Sequence, residues 1–206
     1  MSISYEQTGR TRQKSRTRAA LIEAARQLLA QGRTPTVEQA AAAASISRAT
    51  AYRYFANQRA LLVAAHPEVE APSLLGPEPP TDPEARLDLV VTGLADIFIG
   101  AEETYRTMLR LSLESGNRGE LALREGRRLL WIDDAIVPLR DRLPADTYQR
   151  LANALAAAVG IEALVALTDL ARLSHQEAVT VMRWSARALL QAAVAEGKAR
   201  ARGTAC

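Results

Sequence analysis

A short segment rich in arginine and tyrosine, residues 47–58, carries the side chains best suited to binding a polyanion. Arg48 offers a planar fork of N–H donors that fits the O6 and N7 acceptors of guanine, or a phosphate. The hydroxyl groups of Tyr52 and Tyr54 suit phosphate oxygens, and Arg53 can bind the same groups. These residue types point to DNA recognition, in which Arg48 reads a base edge and the other side chains fix the register on the backbone.

Small and polar residues beside them complete the expected contact set. Ala49 and Thr50 permit a close approach to DNA, and Thr50 can place its methyl group on a thymine methyl and its hydroxyl on a phosphate. The predicted DNA-binding residues are Thr36, Ser47, Arg48, Ala49, Thr50, Tyr52, Arg53, Tyr54, Asn57 and Gln58.

Two short helices joined by a tight turn would position this segment. Thr36 is a suitable N-cap for a helix over 37–44, because its hydroxyl can accept the N–H bonds that a first turn leaves unpaired. The alanines Ala40–Ala44 favour a helix with a smooth surface, which lets another helix approach closely. Ser47 can then cap a second helix over 48–55, after a turn in which Ile46 is the apolar plug. This spacing is typical of a helix-turn-helix, whose second helix enters the DNA major groove.

The aromatic residues of the second helix are expected to divide between the surface and the core. Tyr52 and Tyr54 lie two residues apart, about 200° around a helix, so at least one of them points outward. Phe55 is expected in the core. Asn57 is expected to cap the following helix, which buries Leu61 and Leu62 and continues to about residue 65.

The stretch SRATAYRYFANQRALL resembles the DNA-binding domain of the TetR family of bacterial one-component repressors, and RAALIEAARQLLAQG resembles the first helix of that family. The resemblance covers Arg16–Ala65, about a quarter of the chain. Three features depart from the family pattern. Ser45 stands where the turn usually has glycine, Gln58 replaces a phosphate-contacting lysine, and the segment 32–36 is one residue short and lacks an aromatic residue. Ser45 must then adopt a positive φ or a different turn geometry.

Composition and charge agree with a DNA-binding protein built from helices. The chain has 206 residues, of which 48% are hydrophobic and only 4% aromatic, and alternating strand patterns are nearly absent. We therefore expect an all-α fold with an N-terminal three-helix helix-turn-helix domain and a C-terminal helical bundle. Residues 1–60 hold ten Lys/Arg against three Asp/Glu, a net +7, whereas the remainder holds sixteen against twenty, a net −4. This segregation places the electrostatic footprint of a polyanion on the N-terminal third.

Four segments are predicted along the chain. Residues 1–15 form a polar, basic arm, expected to be disordered, which could lie along phosphates or in a minor groove, or could serve only as a solubilising tail. Residues 16–65 form the helix-turn-helix domain, whose first helix ends at Gly32 as a C-cap. Residues 66–83 contain six prolines and form a linker, and 84–206 form a helical ligand-binding and dimerisation domain.

The C-terminal bundle is expected to contain a long helix bent or broken near Pro138, a long alanine-rich helix running to about residue 170, and a last helix capped by Ser174. The wide apolar faces of the last two helices exceed what one chain usually buries. In the TetR family these helices form a dimer interface and a small effector binds inside the bundle, so the resemblance implies a homodimer and an effector. Large side chains that could line an effector cavity, or simply pack in the core, are Phe98, Tyr105, Met108, Trp131 and Trp184.

Catalytic and metal chemistry have little support. The adjacent pair Asp133-Asp134 points about 100° apart on a helix, so the two carboxylates cannot share a proton or a metal on one face. Only two histidines, His66 and His175, are present, and the single cysteine, Cys206, is the last residue. No hydrophobic segment of signal or membrane-spanning length occurs, so we expect a cytoplasmic protein that is not an enzyme and needs no cofactor or metal.

The sequence therefore favours a repressor that binds a palindromic operator as a homodimer and is released by a small-molecule effector. One alternative is a DNA-binding activator or co-regulator that works through a protein partner without an effector. A third is a helical bundle whose N-terminal domain has lost DNA binding.

Overall fold

The computed structural model describes residues 4–65, 72–113 and 122–203, and every regular element in these ranges is helical. This confirms the expected all-α class. His66, Cys206, residues 1–3 and the first part of the predicted linker, 66–71, lie outside the described residues. The α-helices are α1 Ser4–Ala30, α2 Val37–Ala43, α3 Arg48–Tyr54, α4 Gln58–Ala65, α5 Pro83–Gly100, α6 Glu102–Leu113, α7 Ala122–Ile136, α8 Ala145–Ala158, α9 Ile161–Val165 and α10 His175–Gly203. A 3₁₀ turn, Val137–Leu139, follows α7, and a π-helical turn, Ala166–Leu170, follows α9.

The first helix is longer than the sequence suggested. Disorder was expected over residues 1–15, but α1 begins at Ser4, so this expectation is wrong for residues 4–15. Arginine, glutamine and lysine are good helix formers, and the first proline of the chain is Pro35. A helix that is already held by packing at its C-terminal half can extend into such a segment at one hydrogen bond per added residue.

Helices α1–α4 pack into an N-terminal unit, which we call the head. Its core is made largely of alanine and leucine, with Phe55 buried as expected. Its buried members are Leu21, Ala25, Val37, Ala40, Ala41, Ala51, Phe55, Leu61 and Ala65. Alanines on both α2 and α3 allow the two helices to approach closely, which fixes the angle of α3 relative to the rest of the head.

The predicted helix caps are confirmed. The Gln39 N–H donates to Thr36 Oγ1 at 3.2 Å while the Thr36 N–H donates to Gln39 Oε1 at 2.8 Å, a complete capping box at the start of α2. The Thr50 N–H donates to Ser47 Oγ at 3.3 Å, and the Ala60 N–H donates to Asn57 Oδ1 at 2.8 Å. These bonds define where α2, α3 and α4 begin.

The turn between α2 and α3 uses a left-handed residue, which is Ser45 with φ 55°. The Ile46 N–H donates to the Ala41 carbonyl at 2.8 Å and the Ser45 N–H to the Ala42 carbonyl at 3.1 Å. These two bonds form a Schellman motif, in which the left-handed position normally holds glycine. Ile46 packs against the head core, as expected of the apolar plug. Serine thus adopts the positive φ rather than a different turn.

The C-terminal unit, which we call the body, is built around α5. Asp82 caps α5 through a bond from the Ala85 N–H to Asp82 Oδ2 at 3.0 Å, and α5 packs against α7 and α10. The large apolar residues that α5 buries are Leu87, Val90, Val91, Leu94 and Phe98. Helix α8 closes the body by packing against α7 and α10.

The predicted long helix ending near residue 170 is in fact two helices. Helix α8 ends at Ala158, and Gly160 separates it from α9 with extended backbone. A Cβ at Gly160 would lie 1.9 Å from Arg128 Nη1, a nitrogen that pairs with Glu162 Oε2 at 2.7 Å. The break therefore lets an arginine from α7 reach across the chain between α8 and α9. Among the described residues, no single helix is long and apolar enough to cross a membrane, although α8 and the segment Ile161–Leu170, bent by 45°, meet these criteria as a pair.

A buried arginine donates hydrogen bonds to the last carbonyl groups of α7. Pro138 has no N–H to donate to the Asp134 carbonyl, so α7 ends at Ile136, as expected of a proline-induced break. Arg86 of α5, which is 8% exposed, donates to the Asp134 carbonyl at 2.8 Å and to the Ala135 carbonyl at 3.2 Å. The same guanidinium donates to the Pro80 carbonyl at 3.1 Å. One side chain thus joins the end of the linker, α5 and the C-terminal end of α7.

A second buried arginine lies in the head without such partners. Arg59 of α4 is 2% exposed, and none of its three side-chain nitrogens has a hydrogen-bond partner in the part of the chain that the structure describes. A buried, unpaired cation destabilises the arrangement that contains it.

We predict that Arg86→Ala lowers the free energy of unfolding by roughly 2–4 kcal/mol, because it leaves buried carbonyl groups without donors. The measurement is urea denaturation followed by circular dichroism. Arg183→Ala is the matched control, since Arg183 makes an exposed pair with Asp88, with Nε 2.6 Å from Oδ1, and such pairs contribute at most about 1 kcal/mol. Equal losses for the two variants would contradict the role assigned to Arg86.

We also predict that Ser45→Gly raises the free energy of unfolding by about 0.5–1 kcal/mol, because glycine adopts a positive φ without steric cost. Ala44→Gly, one residue earlier, is the control and should lower it by a similar amount, since Ala44 has the right-handed helical conformation with φ −85°. Thermal denaturation of both variants checks this pair. A loss of stability in Ser45→Gly would contradict this prediction. It would show that the Ser45 side chain stabilises the fold by more than the positive φ of serine destabilises it.

Candidate nucleic-acid interface

Helix α3 presents its first residues to solvent. Ser47, Arg48, Ala49, Tyr52 and Arg53 are exposed, and the Arg48 side chain is 75% exposed. This arrangement suits contact with a groove, because the side chains at the start of the helix are accessible while Ala51, on the opposite face, is buried in the head. Ser47 also donates from its hydroxyl to Thr50 Oγ1 at 2.9 Å, so these two hydroxyls already form a local hydrogen-bonded pair.

The two tyrosines of α3 divide as predicted. Tyr52 is exposed, whereas Tyr54 is partly buried and packs against the head core. Phe55 ends the helix, and the Arg18 guanidinium carbon lies 5.4 Å from the centroid of its ring. Tyr54 and Phe55 therefore anchor α3, and Tyr52 is the tyrosine whose hydroxyl faces outward.

The remaining predicted contact residues lie at the edges of this surface. Thr36, Thr50, Asn57 and Gln58 are partly buried. Gln58 Nε2 donates to the Pro35 carbonyl at 3.1 Å, so this side chain joins the start of α4 to the loop before α2. At the position where the family pattern has a phosphate-binding lysine, this chain thus has an internal hydrogen bond.

Sequence reasoning missed one residue of this surface, Glu38 of α2. The Tyr52 hydroxyl donates to Glu38 Oε1 at 2.5 Å, and Arg48 Nη2 lies 3.1 Å from the same oxygen. The Arg48 guanidinium carbon is 5.7 Å from the centroid of the Tyr52 ring. The hydrogen bond from Tyr52 lowers the pKa of Glu38, and the same bond raises the pKa of Tyr52. An acidic residue in a first helical turn is common, so no pattern in the sequence connects Glu38 with α3.

The candidate effector residues do not form a single group. Phe98 and Tyr105 stack edge to face with ring centroids 4.9 Å apart, and Phe98, Met108 and Trp131 are buried. Trp184 is 68% exposed on α10, so it cannot line an internal cavity of the body together with the others. Trp184 is therefore removed from the candidate effector residues, because no other helix of the described chain covers the outer face of α10.

A cavity of about 550 Å³ lies where the head meets the body. Its walls come from the end of α1, the end of α4 and the corner between α5 and α6, and they include Leu29, Ala65, Ile99 and Glu103. Arg26 is a further wall residue, and its Nε donates to the Ala65 carbonyl at 3.1 Å. Helices α4 and α6 also contact each other directly. This volume falls within the range of small-molecule sites.

An ion-pair network fixes the start of α6 beside this cavity. Arg106 Nε lies 2.7 Å from Glu102 Oε1, and both Arg106 Nη atoms bind Asp169 of the π-helical turn at 2.7 and 2.8 Å. These bonds lower the pKa of Asp169 to about 2. His175 Nε2 lies 2.9 Å from Glu102 Oε2. The network links α6 to the start of α10. Within the described residues, no cluster of three or more His, Cys, Asp or Glu has a metal-binding geometry.

The head corresponds to a known family of domains. Residues 21–65 match the family model described as bacterial regulatory proteins, tetR family, and this span ends at the last residue of α4. No curated protein sequence matches the chain. Regulators of this family are typically DNA-binding proteins without enzymatic activity. The head thus resembles the helix-turn-helix DNA-binding domain of the tetR family of bacterial transcription regulators, and the match over residues 21–65 supports a DNA-binding regulator of that kind.

Proposed function

We propose that this regulator is a repressor that binds a palindromic operator as a homodimer and leaves it when a small effector binds. The observation that carries the proposal is the exposure of Arg48, Ala49, Tyr52 and Arg53 together on α3 of a basic head. Arg48 is the candidate for reading a guanine, since it lies at the start of the recognition helix and keeps donors free of its contact with Glu38. Tyr52 and Arg53 are candidates for phosphate contacts.

The outer face of α10 supports a homodimer. Its exposed residues at helical spacing are almost all small and apolar, with one large aromatic residue, and they are Trp184, Ala188, Ala192, Ala195 and Ala199. Small side chains let a second helix approach closely, and an exposed tryptophan contributes a large apolar area to an interface. Helix α8 packs beside α10 and continues this surface with Asn153 and Ala157 exposed. A two-fold axis across α8 and α10 would pair the two copies through the same patch.

Dimerisation agrees with the requirements of operator recognition. A single helix-turn-helix contacts too few base pairs for tight, specific binding, and a two-fold dimer reads two half-sites about one helical turn apart. The two heads would then be held by the bodies at a fixed spacing. Anything that changes the position of the heads relative to the bodies would change the fit to DNA.

The cavity between head and body supports control by an effector. It touches α1 and α4 of the head and the α5–α6 corner of the body, whose lining residues fall between Phe98 and Tyr105 in the sequence. A ligand there would act directly on the joint between the two units. It would release DNA only if it bound the DNA-incompetent arrangement more tightly than the competent one.

The direct experiment is footprinting of the promoter region beside the gene that encodes this protein, followed by gel-shift titration of the protected fragment. We expect protection of two similar half-sites related by a two-fold axis. Equal and salt-insensitive affinity for every fragment tested would contradict operator binding, because specific contacts discriminate among sequences and phosphate contacts respond to salt.

We predict that Arg48→Ala and Tyr52→Phe affect binding differently. Arg48→Ala should reduce the preference for the protected fragment over unrelated DNA by about 1–3 kcal/mol, because it removes a bidentate base contact. Tyr52→Phe should weaken binding to both DNAs by the same factor, because a phosphate contact carries no sequence information. Gel-shift titrations of both variants on both DNAs measure this. An unchanged preference in Arg48→Ala would remove Arg48 from base recognition.

We predict that Ala188→Glu separates the dimer into monomers, because the charge would be buried in the apolar interface. Sedimentation velocity measures the oligomeric state, and in a Trp131→Phe background the emission of Trp184 should shift to longer wavelength as its ring becomes exposed. Ala20→Glu, on the exposed surface of α1, is the control with the same change in charge and should remain dimeric. A wild-type protein that is monomeric at micromolar concentration would contradict the proposed assembly.

A further inference from the structure

A single carboxylate oxygen, Glu38 Oε1, contacts the tips of two outward-facing polar side chains of α3, Arg48 and Tyr52. Tyr52 donates its hydroxyl proton to this oxygen at 2.5 Å, and Arg48 Nη2 lies 3.1 Å from it. Glu38 belongs to α2, so these contacts cross from one helix of the motif to the other. They are the bonds by which the side chains proposed to touch DNA are oriented before DNA is present.

This cluster contributes little to holding the head together. The Arg48 and Glu38 side chains are 75% and 37% exposed, and exposed ion pairs have small effects on stability. The angle between α2 and α3 is instead fixed by the buried alanines and the Schellman turn. A carboxylate on a DNA-binding surface also repels phosphate, so it lowers affinity for DNA in general. Glu38 therefore contributes little to the stability of the head and lowers the general affinity for DNA. The property that it can improve is the discrimination of the protein between DNA sequences.

We propose that Glu38 is a specificity-determining residue, which discourages phosphate-only binding by Arg48 and holds Arg48 in the orientation that a base edge requires, with Tyr52 bound to the same carboxylate oxygen. Arg48 paired with Glu38 has no net charge to offer a phosphate, so its attraction to DNA of arbitrary sequence is reduced. The guanidinium still has N–H donors that do not contact Glu38, and these can bind two neutral acceptors of guanine. The carboxylate thereby lowers the affinity for DNA of arbitrary sequence more than the affinity for the operator. A repulsive group can increase specificity in this way.

The expected effect follows from counterion release. When Arg48 is freed from Glu38, it can neutralise one more phosphate in each head, and each neutralised phosphate steepens the dependence of log K on log salt concentration by about 0.9. At about 0.1 M salt, one added phosphate contact corresponds to roughly a three- to tenfold gain in affinity for generic DNA. Operator binding should gain less, because there Arg48 is occupied by a base.

The test is Glu38→Gln, which keeps the shape of the side chain and an acceptor oxygen for Tyr52 while removing the charge. Fluorescence anisotropy titrations at several salt concentrations would use two probes, a duplex of arbitrary sequence and the tightest duplex that the wild type selects from a randomised pool. Glu23→Gln is the matched control, since Glu23 is exposed on α1 of the same head and bonds only locally, accepting from Gln27 Nε2 at 3.1 Å. It measures the effect of the same charge change away from α3.

We expect the Glu38→Gln dimer to bind the arbitrary duplex roughly ten- to a hundredfold more tightly, about three- to tenfold for each head, with a steeper salt dependence. It should lose at least threefold in preference for the selected duplex. Glu23→Gln should change both affinities by the same small factor. An unchanged preference in Glu38→Gln, or equal effects of the two variants, would overturn the proposal. Glu38→Ala, which also removes the hydrogen-bond acceptor, should lower affinity for the selected duplex as well, because Arg48 and Tyr52 lose their orientation.

This inference rests on the proposed operator binding, and the two probes separate the failures. If the wild type selects no preferred sequence from the pool, operator recognition itself is wrong. If it selects one and Glu38→Gln discriminates as well as the wild type, only the role of Glu38 is wrong.

Discussion

The structure of the head depends on the close approach of α2 and α3. Alanines at positions 40, 41 and 51 are buried between the helices of the head, and the left-handed Ser45 reverses the chain within four residues. Larger residues would push α3 away from α2 and rotate its exposed face. The close approach also brings Glu38 within hydrogen-bond distance of Tyr52, fourteen residues later. The orientation of the side chains proposed to bind DNA is therefore a consequence of small residues in the core.

Local interactions could be predicted from the sequence, and distant ones could not. The caps at Thr36, Ser47 and Asn57 each involve a residue three positions away, so residue type and spacing were sufficient. The contacts of Glu38 depend on the angle between two helices, which no local pattern encodes. The exposure of Trp184 was missed for a similar reason, because the packing of the body decides which face of α10 is covered. The early start of α1, at Ser4, agrees with the helix propensity of the residue types in that segment.

The body is organised so that backbone breaks are compensated by side chains from other helices. Arg86 supplies donors to carbonyl groups at the end of α7, where Pro138 interrupts the helix, and Arg128 pairs with Glu162 across Gly160 between α8 and α9. Arg106 stabilises the π-helical turn in a similar way, because it donates to the side chains of Asp169 and Thr168 in that turn. Each compensation joins two or three helices, so the body resists deformation more strongly than its alanine-rich helices would alone. A rigid body can transmit a displacement at one end without absorbing it.

Helix α4 has the opposite character. It contacts α1 within the head and α6 within the body, and it contains Arg59, buried without a hydrogen-bond partner in the part of the chain that the structure describes. An uncompensated buried cation raises the free energy of this arrangement relative to any other in which the guanidinium reaches water or an anion. Any position of α4 that exposed the Arg59 guanidinium to water or to an anion would be favoured by that difference. A ligand between head and body would select such a position only by binding it more tightly than the arrangement described here.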